Sequence, residues 1–306
     1  MNKLNNANTL QTPTFWKALN MHTHLITAEQ LAPLQATPAN CLVFDCSFNL
    51  MQPDAGAADY AQAHIPGAVY AHLDHALSAK PGLHETASGG RHPLPSRERF
   101  ALWLASVGLS NDMQAVVYDR NGANYCGRLW WMLKWAGHEA VAVLDGGLQA
   151  WQAAGGAVAA GQEARRAPAV FALKETRARL LDASAVAANL GRPHQTLLDA
   201  RATPRFKGEV EPLDPVAGHI PGALNRPFGQ NLGADGKFKP AAQLKAEFEA
   251  LLGQRTPASV VHHCGSGVSA LPNLLAMEIA GLSGSALYAG SWSDWCSDPA
   301  RPVAQC

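Results

Sequence analysis

The sequence has no excess of either charge, since its 306 residues contain 24 Lys and Arg against 24 Asp and Glu. Proteins that bind nucleic acid or anionic membranes usually carry a clear positive excess, so neither partner is expected. No apolar run approaches the roughly 20 residues that a membrane-spanning helix needs. The six cysteines are scattered, unlike the dense cysteines of a small secreted scaffold, which predicts reduced thiols and a cytoplasmic location.

Patterns that hold cofactors are also missing. Neither G-x-G-x-x-G nor the P-loop pattern occurs, so no nucleotide cofactor is expected. The adjacent His262 and His263 fall on a predicted strand, where consecutive side chains point to opposite faces and cannot easily bind one zinc ion. We therefore expect no metal. His92, in the segment Gly-Arg-His-Pro-Leu-Pro, is interpreted as a loop residue.

What the chain does contain is a duplication. The motif His-Ile-Pro-Gly-Ala occurs at residues 64–68 and again at 219–223, and similar apolar and β-branched runs surround it in the same order. Short apolar runs that alternate with helical patterns predict βα units, so the expected fold class is α/β with two mostly parallel sheets flanked by helices. The chain divides into an N-terminal tail (1–21), a first domain (22–155), an Ala- and Gly-rich linker (156–175) and a second domain (176–306).

The loop Cys-Gly-Ser-Gly-Val-Ser-Ala at residues 264–270 carries the most chemical information. It follows a buried-strand pattern and precedes a helix pattern with Pro272 in its first turn. Two glycines let the backbone curl so that several N–H groups point into one hollow at the helix N-terminus. A sulfur atom held there is favoured as the thiolate, which is the nucleophilic form. The same hollow would stabilise a persulfide or an oxyanion. The alternative is that Cys264 is a small buried hydrophobic residue.

Taken together, this loop and the paired His-Ile-Pro-Gly-Ala motifs resemble the tandem-domain sulfurtransferases of the rhodanese family, over about residues 22–303. The resemblance implies that the second domain is catalytic and the first a degenerate copy, in which Asp119 stands near the place of the nucleophile. In this family, thiosulfate enzymes carry basic residues after the cysteine, whereas 3-mercaptopyruvate enzymes carry Cys-Gly-Ser-Gly-Val-Thr. The neutral loop here is similar to the second group. In it, Ser269 replaces the family threonine, and the resemblance assigns substrate binding to Gly265, Gly267, Val268 and Ser269.

The resemblance also implies a proton relay and a carboxylate site. The relay of the mercaptopyruvate branch corresponds to Ser266, His64 and Asp54, although a turn-stabilising role stays open for His64 and is favoured for His219. Arg205 corresponds to the arginine that binds the donor's carboxylate. The family's second arginine falls on Asp214, so either another cation replaces it or the donor is not mercaptopyruvate. The candidate cations are Lys207, Arg201 and Arg91.

The expected function is therefore sulfur transfer from 3-mercaptopyruvate to a small thiol, a thioredoxin-like protein or cyanide, through a persulfide on Cys264. A thiosulfate:cyanide sulfurtransferase is the first alternative, and a non-catalytic persulfide-carrying module is the second. A dual-specificity phosphatase of the same fold needs an arginine six residues after the cysteine, where this chain has Ala270.

Overall fold

The structure is a computed structural model and describes residues 21–37, 39–79 and 86–306. Apart from Met21, the tail predicted over residues 1–21 lies outside the described residues. None of the helices in this part of the chain has the length and apolar character needed to cross a membrane.

The first domain contains a five-stranded sheet in the order β1-β5-β4-β2-β3, with every neighbouring pair parallel. Its strands are β1 (Leu25–Ile26), β2 (Cys41–Asp45), β3 (Val69–Tyr70), β4 (Gln114–Tyr118) and β5 (Val141–Leu144). Its helices are α1 (Ala28–Gln35), α2 (Ala55–Gln62), α3 (Arg97–Ser106), α4 (Cys126–Trp135) and α5 (Gly147–Ala153). Strands β2, β4 and β5 are buried along their whole length, as in a parallel sheet covered on both faces.

The second domain repeats this topology, with a parallel sheet in the order β6-β10-β9-β7-β8. Its strands are β6 (Arg179–Leu181), β7 (Thr196–Asp199), β8 (Leu224–Asn225), β9 (Val260–His263) and β10 (Ala286–Tyr288). Its helices are α6 (Ala183–Ala188), α7 (Thr203–Lys207), α8 (Ala241–Leu252), α9 (Leu271–Ile279) and α10 (Ser291–Trp295), with short 3₁₀ turns at Phe228–Asn231 and Pro257–Ser259. The predicted α/β fold with two similar sheets is confirmed, and the sheets are entirely rather than mostly parallel.

Residues 156–175, the predicted linker, contain no helix or strand. An isolated antiparallel bridge joins Ala159 to His64, and the Ala169 N–H donates to the carbonyl of Ala105. Phe171 is buried. This segment therefore runs along the first domain before the chain enters the second.

The two domains meet through equivalent helices, α4 and α9. A Cβ atom placed on Gly127 at the start of α4 would lie 3.4 Å from the Cβ of Leu271 at the start of α9. One hydrophobic core contains Trp131 from the first helix and Leu275 from the second. Each helix follows a loop at the carboxyl edge of its sheet, so the packing brings both loops to the domain boundary.

Candidate active site

The loop after β9 begins with Cys264, at the carboxyl edge of the second sheet, where open parallel sheets place their ligands. Its first residues are anchored by α10, since the Trp292 and Ser293 N–H groups donate to the carbonyls of Cys264 and Gly265 (2.9 Å each). Gly267 has a φ of +74°, and a Cβ there would lie 2.2 Å from the carbonyl oxygen of Ala289, so only glycine fits. The tight curl expected from the glycines is present.

Within the described residues, the N–H groups from Gly265 to Ala270 meet no protein acceptor. Cys264 itself is 2% exposed, and its own N–H donates to Ser291 Oγ at 3.0 Å. Val268 is buried and Ser269 is half-buried in the same loop. The loop therefore combines a buried sulfur with free amide donors.

The corresponding loop of the first domain follows β4 and begins with Asp119, the position where the first repeat was expected to lack its nucleophile. Asp119 Oδ1 accepts from the N–H groups of Asn121 (2.8 Å) and Ala123 (3.0 Å). Its Oδ2 accepts from the N–H groups of Tyr125 (2.8 Å) and Cys126 (2.9 Å). Four amides of this loop therefore converge on one buried carboxylate.

Ser266 is paired with a histidine of the first domain, and that histidine is His92. Ser266 Oγ lies 2.7 Å from His92 Nδ1, and His92 Nε2 lies 3.4 Å from Asp74 Oδ1. Because the Asp74 carboxylate can only accept, Nε2 carries the proton and Nδ1 accepts from the Ser266 hydroxyl. The arrangement is a Ser–His–Asp chain across the domain boundary.

Two pKa shifts fit this hydrogen-bond pattern. Burial lowers the pKa of His92, with the nearby cations Arg128 and Arg91 acting in the same direction and Asp74 opposing them. The hydrogen bond from His92 is the largest cause of the lowered pKa of Asp74. The resting state at neutral pH is thus a neutral imidazole held against a carboxylate.

The structure does not place His64 at this site. Its ring stacks on Tyr60 with a centroid distance of 4.0 Å, Nδ1 donates to the Tyr60 carbonyl at 2.7 Å, and Nε2 lies 3.1 Å from Glu163. His219 has the same role in the second domain, stacked on Phe206 at 4.0 Å with Nδ1 donating to its carbonyl at 2.8 Å. Both histidines stabilise their turns, and the histidine that contacts Ser266 is His92 rather than the expected His64.

Asp54 is also not part of the chain to Ser266. It precedes α2 as the N-cap residue, and its side chain makes no capping bond. The carboxylate beside His92 belongs to Asp74, which follows β3. The segment with His92, interpreted from the sequence as a loop, has no match in the second repeat, because the connection from Ala68 to α3 is longer than that from Ala223 to α8. A histidine and an arginine in an unmatched Gly- and Pro-rich connection were the signal that could have identified it.

Two arginines lie over the start of the loop. A Cβ on Gly265 would be 3.3 Å from Arg91 Nη2 and 3.5 Å from Arg205 Nη1. Asp214 joins them, with Oδ1 2.6 Å from Arg91 Nη1 and Oδ2 3.2 Å from Arg205 Nη2. Arg205 also pairs with Glu211 at 2.6 Å. The two arginine side chains are 27% and 18% exposed, so solvent reaches both of them beside the loop that holds the buried cysteine.

Of the three cations considered as replacements for the family's second arginine, only Arg91 is found at the loop. Arg201 is buried against Asp199 at 2.8 Å and stacks over Trp292. Lys207 pairs with Glu209 at 3.7 Å on the surface. Arg91 comes from the first domain, whereas Asp214 stands at the family position in the second. In the described part of the chain, His, Cys, Asp and Glu residues form no group suited to holding a metal ion.

Comparisons with protein families, with individual proteins and with solved structures agree with one another. The family described as Rhodanese-like domain matches residues 27–154 and 182–298. The "Probable 3-mercaptopyruvate sulfurtransferase" of Pseudomonas aeruginosa is 49% identical over 281 residues, covering 92% of this chain and 97% of that protein. The thiosulfate sulfurtransferase of Bos taurus is 34% identical over 258 residues, covering 83% of this chain and 84% of that protein. Among solved structures, SseA from Escherichia coli, titled as a 3-mercaptopyruvate sulfotransferase, aligns with a TM-score of 0.74 and 31% identity over 89% of this chain and 100% of SseA.

Proposed function

Since the chain belongs to the rhodanese family and is a tandem-domain sulfurtransferase, we propose that it takes sulfur from 3-mercaptopyruvate through a persulfide on Cys264. The observation that carries this choice of donor is the Ser266–His92–Asp74 chain beside the cysteine loop. A donor whose carbon leaving group must be protonated needs such a chain. Thiosulfate does not need such a chain, because its leaving group is sulfite, which leaves as an anion.

The donor's carboxylate would bind Arg205 and Arg91 above Gly265. Guanidinium groups suit a planar carboxylate because they offer parallel N–H donors. Glu211 and Asp214 hold the two groups in place, and Gly265 leaves the space beneath them free of a side chain. A donor whose carboxylate is held there would have its thiol directed toward Cys264 and Ser266. The free amides of Gly267, Val268 and Ser269 would bind the sulfur anion that forms.

In the sulfur-transfer step, the Cys264 thiolate attacks the donor's sulfur. A sulfur–sulfur bond forms and the carbon–sulfur bond breaks, leaving its electron pair on the carbon of the pyruvate enolate. The proton lost by the donor's thiol passes through Ser266 to Nδ1 of the neutral His92, and returns to the enolate carbon to give pyruvate. Asp74 stabilises the transient imidazolium. Cys264 is left as a persulfide.

An acceptor then removes the outer sulfur. A thiolate acceptor attacks it and forms a new persulfide, or cyanide attacks it and forms thiocyanate, and Cys264 leaves as the thiolate in either case. A small thiol or a thioredoxin-like protein would serve as the acceptor. We place this reaction in the cytoplasm, since all six cysteines are free thiols.

Thiosulfate is the second candidate donor, and one observation favours it. Two guanidinium groups, Arg91 and Arg205, lie beside Gly265 and suit a dianion. Asp214 offsets one of these positive charges, and the loop after Cys264 has no basic residue, both of which favour a monoanionic donor.

The test compares kcat/KM for 3-mercaptopyruvate and for thiosulfate, with cyanide as the acceptor in both assays. We expect the value for 3-mercaptopyruvate to be higher by at least about tenfold, and Cys264→Ser to abolish both activities. Cys306→Ser, which changes an exposed cysteine, is the matched control and should leave both unchanged. A higher value for thiosulfate would reverse the choice of donor. Persulfide on Cys264 without turnover of either donor would indicate a sulfur-carrying module instead.

A further inference from the structure

Arg128 lies in the first turn of α4 in the first domain and is fully buried. Its Nε and Nη2 donate to the Leu77 carbonyl at 3.2 and 3.1 Å, and Nη2 also donates to the His92 carbonyl at 2.8 Å. Its Nη1 donates to the Gly267 carbonyl in the cysteine loop at 3.0 Å. One guanidinium therefore links the relay histidine's segment to the loop that begins with Cys264.

This guanidinium has no carboxylate partner among the described residues. The other arginines with comparable burial do: Arg201 pairs with Asp199 at 2.8 Å, and Arg226 pairs with Glu247 at 2.7 Å. A buried cation without a counter-charge is costly, because carbonyl dipoles replace only part of its hydration. Such a cation is most stable when an anion is formed beside it.

Cys264 begins the loop that Arg128 contacts through the Gly267 carbonyl, and its thiolate would be such an anion. Burial lowers the pKa of Arg128 to about 10, and the opposing influence comes from the negative charge of Cys264. Arg128 therefore remains charged at neutral pH. The Asp119 carboxylate of the first domain, by contrast, is already held by four amides of its own loop.

We propose that Arg128 is a positioning residue with two effects on the second domain: its buried charge favours the thiolate and persulfide forms of Cys264, and its hydrogen bonds fix His92 against the cysteine loop. The inference rests on the proposed function, since it assumes that Cys264 is the reacting group. It also assigns the first domain a part in catalysis: the degenerate copy supplies the buried cation of the active site.

The test measures the rate at which iodoacetamide alkylates Cys264 as a function of pH, read by mass spectrometry of the peptide that contains it. In Arg128→Met, we expect alkylation at pH 7 to slow by about tenfold and the midpoint of the pH profile to rise by about one unit. Arg91, Arg205 and His92 also face the site and are retained in every variant. The control is Lys134→Met, which removes a half-buried cation of the same helix whose Nζ lies 3.8 Å from Glu278. Its alkylation profile should match the wild type.

Arg128→Lys separates charge from position and does not depend on the methionine variant folding. Lysine keeps the cation but cannot make all four hydrogen bonds, so we expect alkylation within about threefold of wild type and a kcat for 3-mercaptopyruvate at least about tenfold lower. Tenfold slower alkylation in the lysine variant would overturn the role of the charge. An unchanged kcat would overturn the role in positioning His92. A folded Arg128→Met protein with a lower Tm and an unchanged alkylation profile would reduce Arg128 to a structural residue.

The two proposals can fail separately. If Cys264 of the wild type titrates like an ordinary thiol, near pH 8.5, the thiolate premise of the proposed function fails. If the wild-type profile is acidic and Arg128→Met leaves it unchanged, only the inference about Arg128 fails.

Discussion

The loops after β4 and β9 have equal length and lead into equivalent helices, but only the first loop contains a carboxylate that its amides bind. In the first domain, the Asp119 carboxylate accepts from four N–H groups of its own loop. In the second, the loop amides from Gly265 to Ala270 meet no acceptor within the described residues. The first loop shows that this backbone curl gathers amides around an anion. The second loop shares the length and the positive φ at its fourth residue, since Gly122 has a φ of +68° and Gly267 a φ of +74°, but it has no carboxylate for its amides to bind.

The residue after the first position of each loop also differs in charge between the two domains. In the first domain, Arg120 comes after Asp119 and its guanidinium is bound to Asp45 at 3.0 Å and to Ser47. In the second, Gly265 comes after Cys264 and leaves room for Arg91 and Arg205 above the loop. The first loop contains both an anion, Asp119, and a cation, Arg120, whereas the cations beside the second loop, Arg91 and Arg205, come from other segments.

The largest expected effect comes from giving the second loop the anion of the first. Cys264→Asp should lower sulfur transfer by at least about 10³-fold, because no sulfur nucleophile remains. The new carboxylate would accept from the loop amides as Asp119 does, with Arg128 nearby. We therefore expect a Tm at least about 2 °C above that of Cys264→Ser, measured by calorimetry.

Cys264→Asn is the matched control, since it has nearly the same shape without the charge, and its Tm should lie below that of Cys264→Asp. If the aspartate variant is instead the least stable of the three, the amides of the second loop do not gather around an anion, and the likeness between the two loops ends at their length.

The second prediction contrasts two histidines of the first domain. His92→Asn should lower kcat for 3-mercaptopyruvate by about 10²-fold, because the proton path through Ser266 is lost. His64→Asn should leave kcat within about twofold, because a hundredfold effect requires a group at the reacting atoms. Its Tm should fall by a few degrees as the stacking on Tyr60 is lost.

His219→Asn gives the control for His64→Asn, because His219 makes the same contacts in the second domain. Both variants should lose stability to a similar extent and keep kcat. A loss of kcat confined to His64→Asn would restore that residue to the relay and remove His92 from it.

The architecture and the class of reaction were predictable because both are encoded in short local segments, and the architecture is encoded twice. The repeated His-Ile-Pro-Gly-Ala motif and the order of apolar runs predicted two parallel α/β domains, and the resemblance carried by the loop at 264–270 predicted a sulfurtransferase of the rhodanese family. Both predictions are confirmed. The domain boundaries at 155 and 176 stay predictions.

The partners of the cysteine loop were not predictable in the same way, because they depend on how the domains dock. His92 and Ser266 are 174 residues apart, and Arg91 and Asp214 are 123 apart. The resemblance to the family assigned the relay to His64, and the segment that contains His92 was interpreted only as a loop. Asp214 was noted as a departure from the family, but only the docked domains reveal that it holds the arginine of the other domain.

The smallest effect on kcat is expected from a change at Asp119, in the loop after β4. Asp119→Asn keeps one oxygen but turns an amide N–H₂ toward the N–H groups of Tyr125 and Cys126, leaving two buried donors without an acceptor. We expect the free energy of unfolding to fall by about 2–4 kcal/mol and kcat for 3-mercaptopyruvate to stay within about threefold at 25 °C. Urea unfolding followed by tryptophan fluorescence measures the free energy of unfolding.

Asp54→Asn, at an exposed N-cap whose side chain makes no capping bond, is the control and should change stability by less than about 0.5 kcal/mol. Equal stability of the two variants would mean that the carboxylate of Asp119 does not hold its loop, whereas a large loss of kcat in Asp119→Asn would mean that α4 transmits the order of the first loop, through Arg128, to the second.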